Sequence, residues 1–480
     1  MSAPSGTPTE LFIDGKWGSG SGGTFPVYDP STGDVVAEVA RAGDDDVARA
    51  VESAAAAQAG WAAAAPRERA EVLRKAFELM ISRREEIAYV MSLEMGKSLT
   101  DSRAEVTYAA EFFRWFGEEA VRVGGELRTA PSGANRILTF QKPVGIALLL
   151  TPWNFPAAMA TRKIGPALAA GCPVILKPAH DTPLTALVLA QVLADAGAPA
   201  GVVNVLTTDH PRDFVTAALR DPRVRKLSFT GSTPVGSQLL KQAADRIVNC
   251  SMELGGNAPF VVLDDADLDA AVSGAMLAKM RNGGQACTAA NRFLVQESVA
   301  SEFASRLADA MGALRVGAGT DEQTQLGPMV NAHAVDGIAE KVDRSVAAGA
   351  VAVLGGARLE RPGYFYPATV LTDVPRTSAV ATEEIFGPVA PIISVRDEDD
   401  AVSLANATDM GLTGYVFTRD LARGLRVSER LEVGMVGLNR GLVSDPAAPF
   451  GGVKESGIGR EGGYEGIEEY LETQYVATSW

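Results

Sequence analysis

The chain of 480 residues has few of the side chains that build disulfide frameworks and metal sites, with three cysteines and three histidines. Three cysteines cannot form the set of bridges that small secreted domains use, so we expect a reducing, cytoplasmic location. The histidines, His180, His210 and His333, are scattered and form neither a His-rich cluster nor an HExxH helix. The sequence therefore predicts no metal site.

Positive charge and long apolar runs are also scarce. Lys and Arg number 44 against 59 Asp and Glu, which gives a formal net charge of −15. A field of this sign repels phosphates and argues against nucleic acid and anionic membranes as partners. No run of about 18 apolar residues occurs, and the N-terminus lacks the features of a signal peptide, so we expect neither a membrane span nor a secretory leader.

What the sequence does contain is an alternation of short apolar runs with helical patterns. At roughly 150 residues per domain, the length predicts about three folding units. From about residue 145, apolar runs at 146–150, 173–176, 202–206 and 226–229 are separated by helical segments, such as 162–170 and 184–196. Strands buried on both faces have this appearance, which predicts a doubly wound parallel sheet that binds ligands at the carboxyl ends of its strands.

A second α/β set begins near Gly255, and two segments fit neither set. Residues 136–141 and the tail at 466–477 alternate between apolar and polar residues, as exposed strands do. These two segments are predicted to form a β-arm.

One glycine-containing segment has the setting of a phosphate cradle. Gly231-Ser232-Thr233-Pro234 follows a predicted strand and opens a predicted helix, where free N–H groups can receive a pyrophosphate. The alternative is a well-capped helix. Two GxGxxG matches, beginning at Gly18 and Gly457, lack this setting and are interpreted as turns.

Cys287 differs in context from the other two cysteines. Cys172 and Cys250 lie in apolar strand-like segments and are interpreted as small core residues. Cys287 follows Gly283-Gly284-Gln285-Ala286, whose glycines permit a tightly turned backbone. On the local residues alone, a buried structural role for Cys287 is favoured over a nucleophilic role by about two to one. No His lies nearby in sequence, so a Cys–His hydrolase has no local support, although a spatial partner stays open.

Two polar residues follow predicted strands and are candidates for acid–base and oxyanion roles. Glu253 ends an apolar strand and precedes two glycines, which suits a desolvated general base or, alternatively, a salt-bridged carboxylate. Asn154 lies between Pro152 and Pro156 and either donates to a developing oxyanion or forms an Asx turn.

Taken together, these segments resemble the aldehyde dehydrogenase superfamily over essentially the whole chain. The motifs, in order, are Trp153-Asn154-Phe155-Pro156, Lys177-Pro178, Phe229-Thr230-Gly231-Ser232-Thr233, Glu253-Leu254-Gly255-Gly256, Gly284-Gln285-Ala286-Cys287, Glu384-Ile385-Phe386-Gly387-Pro388 and Pro449-Phe450-Gly451-Gly452. The resemblance implies an α/β fold with two doubly wound domains and a small β bridging and oligomerisation arm. It assigns residues 1–126 and 143–254 to a dinucleotide-binding domain, 255–450 to a catalytic domain, and 127–142 and 466–480 to the arm.

The same resemblance implies a mechanism and a site. Cys287 would attack an aldehyde, hydride transfer to NAD or NADP would leave a thioester, and Glu253 would activate the water that hydrolyses it. The Asn154 side chain and the Cys287 backbone N–H would form the oxyanion hole. The residues implied to bind the cofactor are Trp153, Lys177, His180, Gly231, Ser232, Gly236, Gly255, Glu384 and Phe386.

A finer resemblance is to succinate-semialdehyde dehydrogenases. In that subfamily, residues matching Arg162, Arg281 and Ser444 hold the distal carboxylate of the substrate, and planar guanidinium groups suit a carboxylate. The alternative for either arginine is a structural ion pair. Three other functions stay open: glutarate-semialdehyde or broader aldehyde oxidation, a cysteine hydrolase or acyltransferase without a redox step, and a non-enzymatic binding or structural role.

Two positions depart from the pattern of relatives. Ala289 stands where some relatives carry a second cysteine, so a regulatory disulfide is not expected. His180 stands where NAD-preferring relatives often carry a glutamate that repels a 2′-phosphate, which favours NADP, with NAD still possible. By resemblance, the arm predicts a homodimer or homotetramer.

Overall fold

Strands and helices alternate along most of the chain in the computed structural model, which describes residues 2–480. The strands are β1 Leu11–Ile13, β2 Lys16–Gly18, β3 Thr24–Tyr28, β4 Val35–Ala40, β5 Leu127–Thr129, β6 Arg136–Pro143, β7 Ile146–Leu150, β8 Val174–Lys177, β9 Val203–Val205, β10 Val224–Thr230, β11 Asn249–Glu253, β12 Ala258–Val262, β13 Ala290–Gln296, β14 Val351–Leu354, β15 Thr369–Thr372, β16 Val389–Val395, β17 Met410–Gly411, β18 Thr413–Phe417, β19 Met435–Leu438, β20 Val453–Lys454, β21 Gly457–Ile458 and β22 Leu471–Thr478. The helices are α1 Asp44–Ala63, α2 Pro66–Ser82, α3 Arg84–Met95, α4 Leu99–Glu119, α5 Pro156–Ala170, α6 Pro183–Asp195, α7 Pro211–Arg220, α8 Thr233–Ala244, α9 Leu268–Met280, α10 Glu297–Gly312, α11 Ala332–Ala347, α12 Ala379–Thr382, α13 Glu398–Asn406, α14 Leu421–Arg430 and α15 Glu465–Glu468, with a 3₁₀ turn at Arg281–Gly284.

The first large sheet has the order β2-β1-β9-β8-β7-β10-β11-β21. Its strands from β9 to β11 run parallel, and β1 and β21 pair antiparallel at the two sides. Every residue of β7 and β8 is buried, which explains their continuous apolar sequence. The chain order reverses between β7 and β10, and such a switch point opens a crevice at the carboxyl ends of the strands.

The second large sheet has the order β14-β15-β16-β13-β12-β18-β19. It is parallel apart from β14, which pairs antiparallel with β15. An aromatic cluster fills one of its faces, where the Phe260 ring centroid lies 5.1 Å from that of Phe293 and 4.9 Å from that of Phe417. This unit faces the crevice of the first sheet through the segments that carry Cys287, Glu384 and Phe386.

The third sheet is a mostly exposed antiparallel ribbon, β22-β6-β5. Strand β22 pairs with β6 along its whole length, from Leu471 opposite Pro143 to Thr478 opposite Arg136. The extended tail predicted from residue 466 is wrong at its start, because residues 465–468 form helix α15. Gly466 packs there so closely that a Cβ would lie 2.9 Å from the Phe116 ring.

The structure agrees with the predicted α/β fold class, and the domain boundaries given above stay a prediction. Helix α5 begins at Pro156, earlier than the predicted helix at 162–170. None of the helices formed by residues 2–480 combines the length and apolarity needed to cross a membrane.

Candidate active site

A cavity of about 220 Å³ brings the predicted motifs together. Its walls come from segments that follow strands β7, β10 and β11 of the first sheet and from loops of the second unit. Eight sequence-predicted residues line it: Trp153, Asn154, Gly231, Ser232, Gly255, Cys287, Glu384 and Phe386. The ring centroids of Trp153 and Phe386 are 5.4 Å apart, edge to face, so residues from both units meet across the cavity.

The segment before Cys287 has a left-handed backbone conformation, which favours glycine. Asn282, Gly283 and Gly284 have φ angles of 54°, 60° and 78°, which is the left-handed region. A Cβ on Gly284 would lie 2.2 Å from the carbonyl oxygen of Gly387. The glycines therefore serve a steric need, as the sequence predicted for this turn.

The Cys287 thiol is half-buried at the cavity wall. Burial raises its pKa to about 12, and the Arg162 guanidinium opposes that shift. A thiol in this state is protonated at neutral pH, so its reaction as a nucleophile requires a nearby base.

Glu253, the last residue of β11, is 3% exposed. Neither of its carboxylate oxygens forms a hydrogen bond with residues 2–480. Burial and the neighbouring Glu461 raise the pKa of Glu253 well above its usual range, while Arg162 and Lys163 oppose the shift. A carboxylate with a raised pKa is a stronger base when deprotonated, which suits proton transfer from a thiol or a water molecule.

Asn154 lies in the turn between β7 and α5 and is buried. Its side-chain Nδ2 donates to the backbone oxygen of Gln285 at 3.0 Å, which ties this turn to the segment that carries Cys287. Its own backbone oxygen accepts from the Asn282 side chain at 2.8 Å. The amide is thus held beside the thiol, where it can donate its remaining proton.

A second cavity of about 190 Å³ adjoins the first at the ends of β7 and β10. Its apolar walls include Val215 and Leu239, and its cationic groups are Lys177 and Arg212. Burial lowers the pKa of Lys177 to about 8, and Asp181 opposes the shift. Apolar walls with two cations fit an adenosine that carries a phosphate.

Three predicted cofactor residues occupy different surroundings. His180 is exposed, its Nε2 lies 3.6 Å from Asp181 Oδ2, and it is not among the described residues that line either cavity. Gly236 lets α8 approach β11, since a Cβ would lie 2.5 Å from the Leu254 side chain. Glu384 accepts from the Gly256 N–H at 3.1 Å, and burial raises its pKa to about 7.

The three predicted substrate residues gather around a tyrosine. Arg162 is buried, forms an ion pair with Glu461, and lies 4.1 Å from the centroid of the Phe450 ring. The buried Tyr108 hydroxyl lacks a hydrogen bond of good geometry to any described residue, as does Arg162 Nη1. Burial raises the pKa of Tyr108, whereas Arg162, Arg281 and Ser444 lower it, so these groups surround one another.

Sequence reasoning missed Tyr108, Arg212 and Glu461. Tyr108 lies on α4, whose neighbouring aromatic residues are typical of core packing. Arg212 belongs to none of the motifs, and Glu461 lies in the glycine segment at 457–462 that was interpreted as a turn. Both reach the site from distant parts of the chain. Within residues 2–480, no three His, Cys, Asp or Glu side chains are grouped as metal ligands.

The chain is similar to known proteins over almost its whole length. A family model described as the aldehyde dehydrogenase family matches residues 17–476. A succinate-semialdehyde dehydrogenase of Paenarthrobacter nicotinovorans is 57% identical over 92% of this chain and 98% of its own. A glutarate-semialdehyde dehydrogenase of Pseudomonas putida is 46% identical over 98% of both chains. A crystal structure of an NADP-dependent enzyme of E. coli superposes with a TM-score of 0.97 at 45% identity, covering 99% of this chain and 98% of that one.

Proposed function

The chain belongs to the aldehyde dehydrogenase family and is an NAD(P)-dependent oxidoreductase that acts on aldehydes, and on that premise we propose that it converts succinate semialdehyde to succinate. The observation that carries the substrate assignment is the group of donors at Tyr108, Arg162 and Arg281 beside the Cys287 thiol. Guanidinium and hydroxyl donors suit a carboxylate, and an uncharged aldehyde would leave the buried Tyr108 hydroxyl and Arg162 Nη1 without a partner among the described residues. The similarity to a succinate-semialdehyde dehydrogenase supports the same substrate.

Cys287 is the proposed nucleophile. Its thiol gives a proton to Glu253, and its sulfur bonds to the aldehyde carbon, which turns the carbonyl oxygen into an oxyanion. The Asn154 side chain and the Cys287 backbone N–H stabilise that oxyanion. When bound, a nicotinamide supplies the acceptor for the hydride on the same carbon, and the sulfur is then held in a thioester.

Glu253 is also the proposed base for hydrolysis. It first releases the proton taken from the thiol to solvent. It then removes a proton from the water molecule that attacks the thioester carbon, the carbon–sulfur bond breaks, and the Cys287 sulfur regains a proton. One aldehyde, one oxidised dinucleotide and one water are consumed. One carboxylate, one reduced dinucleotide and two protons are released.

NADP is the proposed preferred dinucleotide, with NAD as the second choice. Among the described residues lining the second cavity there is no carboxylate to repel a 2′-phosphate, and Lys177 and Arg212 supply positive charge. Ser232 and Gly231 are proposed to hold the pyrophosphate, and Glu384 the nicotinamide ribose beside Gly255. Trp153, Phe386 and Gly236 are proposed to shape the dinucleotide-binding site, and His180 is proposed as a contact at the edge of that site.

Oligomerisation through the arm is proposed as well. Its ribbon exposes large apolar side chains, including Leu127 at 64%, Phe140 at 47% and Trp480 at 74%. Such a surface on a monomer invites association, so a second copy is the expected partner. The proposed assembly is a homodimer or homotetramer, and the proposed location is the cytoplasm.

The substrate assignment is tested by Arg281→Ala. Loss of a charge-assisted hydrogen bond costs about 1.5–3 kcal/mol, so KM for succinate semialdehyde should rise roughly ten-fold or more. KM for butyraldehyde, which lacks the carboxylate, should change little. Rates are read from NADPH absorbance, which also separates a dehydrogenase from a cysteine hydrolase, and Cys287→Ala should abolish the signal with both aldehydes.

The matched control is Arg306→Ala, which removes an exposed arginine on α10 that pairs with Glu302. It should leave both KM values unchanged. Equal increases in KM for the two aldehydes in Arg281→Ala would overturn the carboxylate assignment.

Glutarate semialdehyde is the alternative substrate, because a relative named for it is 46% identical to this chain. One methylene changes transition-state binding by about 1–3 kcal/mol. We expect kcat/KM to favour succinate semialdehyde by about ten-fold, consistent with that range. A kcat/KM that is higher for glutarate semialdehyde would make that longer aldehyde the assigned substrate.

A further inference from the structure

The turn that carries Asn154 rests on a buried ion pair between Lys97 and Glu105. Lys97 Nζ donates to the Asn154 backbone oxygen at 2.6 Å and to Glu105 Oε2. We propose that Lys97 and Glu105 are positioning residues that hold the Asn154 amide in the orientation required to stabilise the oxyanion. This inference rests on the proposed function, since it assumes the role given above to Asn154.

Glu105 fixes the ion pair to the start of helix α5. Its Oε1 accepts from the backbone N–H groups of Ala157 at 2.9 Å and Ala158 at 3.1 Å. These N–H groups lack intrahelical partners in the first turn, so the carboxylate caps the helix. The other oxygen is then directed to Lys97, which sets the position of the ammonium relative to the turn.

The Asn154 backbone oxygen accepts hydrogen bonds from two donors in different segments. Lys97 approaches from the end of α3, and the Asn282 side chain approaches from the left-handed segment before Cys287. These two bonds hold the Asn154 carbonyl and thereby the position from which its side chain extends, while the Nδ2 bond to the Gln285 backbone oxygen sets the direction of the amide. Lys97 Nζ also lies 4.2 Å from the centroid of the Phe155 ring, which limits sideways movement of the turn.

Stability alone does not account for an ion pair in this place. The Lys97 and Glu105 side chains are 0% and 1% exposed. Removing two charges from water offsets most of their attraction, and apolar pairs of similar volume are often as stable. What an apolar pair lacks is a donor for the Asn154 oxygen.

The chain offers a matched control in Glu94. This buried carboxylate accepts from Leu184 N at 2.7 Å and Thr185 N at 2.8 Å, so it caps helix α6 as Glu105 caps α5. It forms no hydrogen bond with Lys97 or Asn154. The charge of Glu105 also acts on Glu94, so Glu94→Gln measures the effect of altering a neighbouring buried helix cap that leaves the Lys97–Glu105 and Lys97–Asn154 hydrogen bonds in place.

The test begins with Glu105→Gln, which keeps one oxygen for the α5 N–H groups and replaces the oxygen that faces Lys97 with an amide NH₂. Aldehyde kcat/KM should fall about ten-fold or more, the change expected for a displaced oxyanion donor. The dissociation constant for NADPH, measured by fluorescence without aldehyde, should stay within about two-fold, and Glu94→Gln should match the wild type on both measures.

A double-mutant cycle with Asn154→Ala decides between positioning and general damage. If the pair acts through Asn154, adding Glu105→Gln to Asn154→Ala should change kcat/KM by less than about two-fold. A full further decrease, or an equal decrease in Glu94→Gln, would overturn the inference. If Glu105→Gln does not fold by circular dichroism, Lys97→Arg is carried through the same cycle under the same criteria.

The outcomes separate this inference from the proposed function. A normal rate for Asn154→Ala would remove the oxyanion role from Asn154 and the positioning role with it. A slow Asn154→Ala with additive losses would leave the proposed function intact and refute only the positioning pair.

Discussion

Arg212 is a single side chain outside every motif, yet it lines the cavity proposed to hold the adenosine of the dinucleotide. It faces the same cavity as Lys177 and forms no ion pair within residues 2–480. Arg212→Ala should weaken NADPH binding by roughly ten-fold, the value of a charge-assisted contact, and leave NADH binding nearly unchanged. Fluorescence titration of both dinucleotides measures this, with Arg306→Ala as the control. A loss shared equally by NADPH and NADH would show that Arg212 does not contact the phosphate.

Lys177 adds a pH dependence to the same contact. Its pKa is lowered to about 8 by burial, so the ammonium is charged below that pH and becomes neutral above it. Attraction for a 2′-phosphate should therefore be present at pH 7 and decline as the pH rises through about 8. NADH lacks that phosphate, so its affinity should vary less with pH. Dissociation constants at several pH values from 7 to 9 measure this, and parallel curves would contradict it.

The residues that sequence reasoning identified share one property: each belongs to a local motif with its own chemistry. Asn154 follows a strand, Glu253 ends one, and Cys287 follows two glycines, and each of these settings is visible in the local sequence. Tyr108 and Lys97 belong to no such motif, because their roles depend on contacts with groups far away in the chain. Their roles therefore required the tertiary structure.

Among the elements, the segment before Cys287 has the least freedom to change. Gly284→Ala would place a Cβ against the Gly387 carbonyl and strain a left-handed backbone, at a cost of about 1–3 kcal/mol. The expected result is a lower melting temperature and a loss of kcat larger than the change in NADPH affinity. Gly349→Ala, also left-handed but with open space around it, controls for backbone strain. Equal kinetic effects in the two variants would refute the steric argument.

The family and the α/β fold class predicted from the sequence are confirmed by the comparisons, whereas two elements were mispredicted. Apolar runs identified the parallel strands because those strands are buried on both faces. The start of α5 was not apparent, since its N-terminal turn is capped by Glu105 from α4. The tail was mispredicted at 466–470 because Gly466 packs against Phe116, a contact that no local pattern reveals.

At the scale of the whole molecule, the arm is expected to control assembly. Phe140→Lys places a charge on its exposed face and should shift the protein towards monomer in light scattering after gel filtration. Tyr464→Lys, at an exposed residue outside the ribbon, is the control and should leave the mass unchanged. A wild-type chain that already elutes as a monomer would refute the proposed assembly.

The distance along the chain between Glu461 and its two cationic partners has a consequence for biosynthesis. Arg162 and Lys163 are synthesised long before the carboxylate that pairs with both, since Glu461 lies 298 residues after Lys163. Strand β6 likewise lacks its pairing partner until β22 has been synthesised. A nascent or prematurely terminated chain therefore carries unpaired cations and an open strand edge, features that favour aggregation and degradation. The site is therefore finished only when segments made much later have folded onto it.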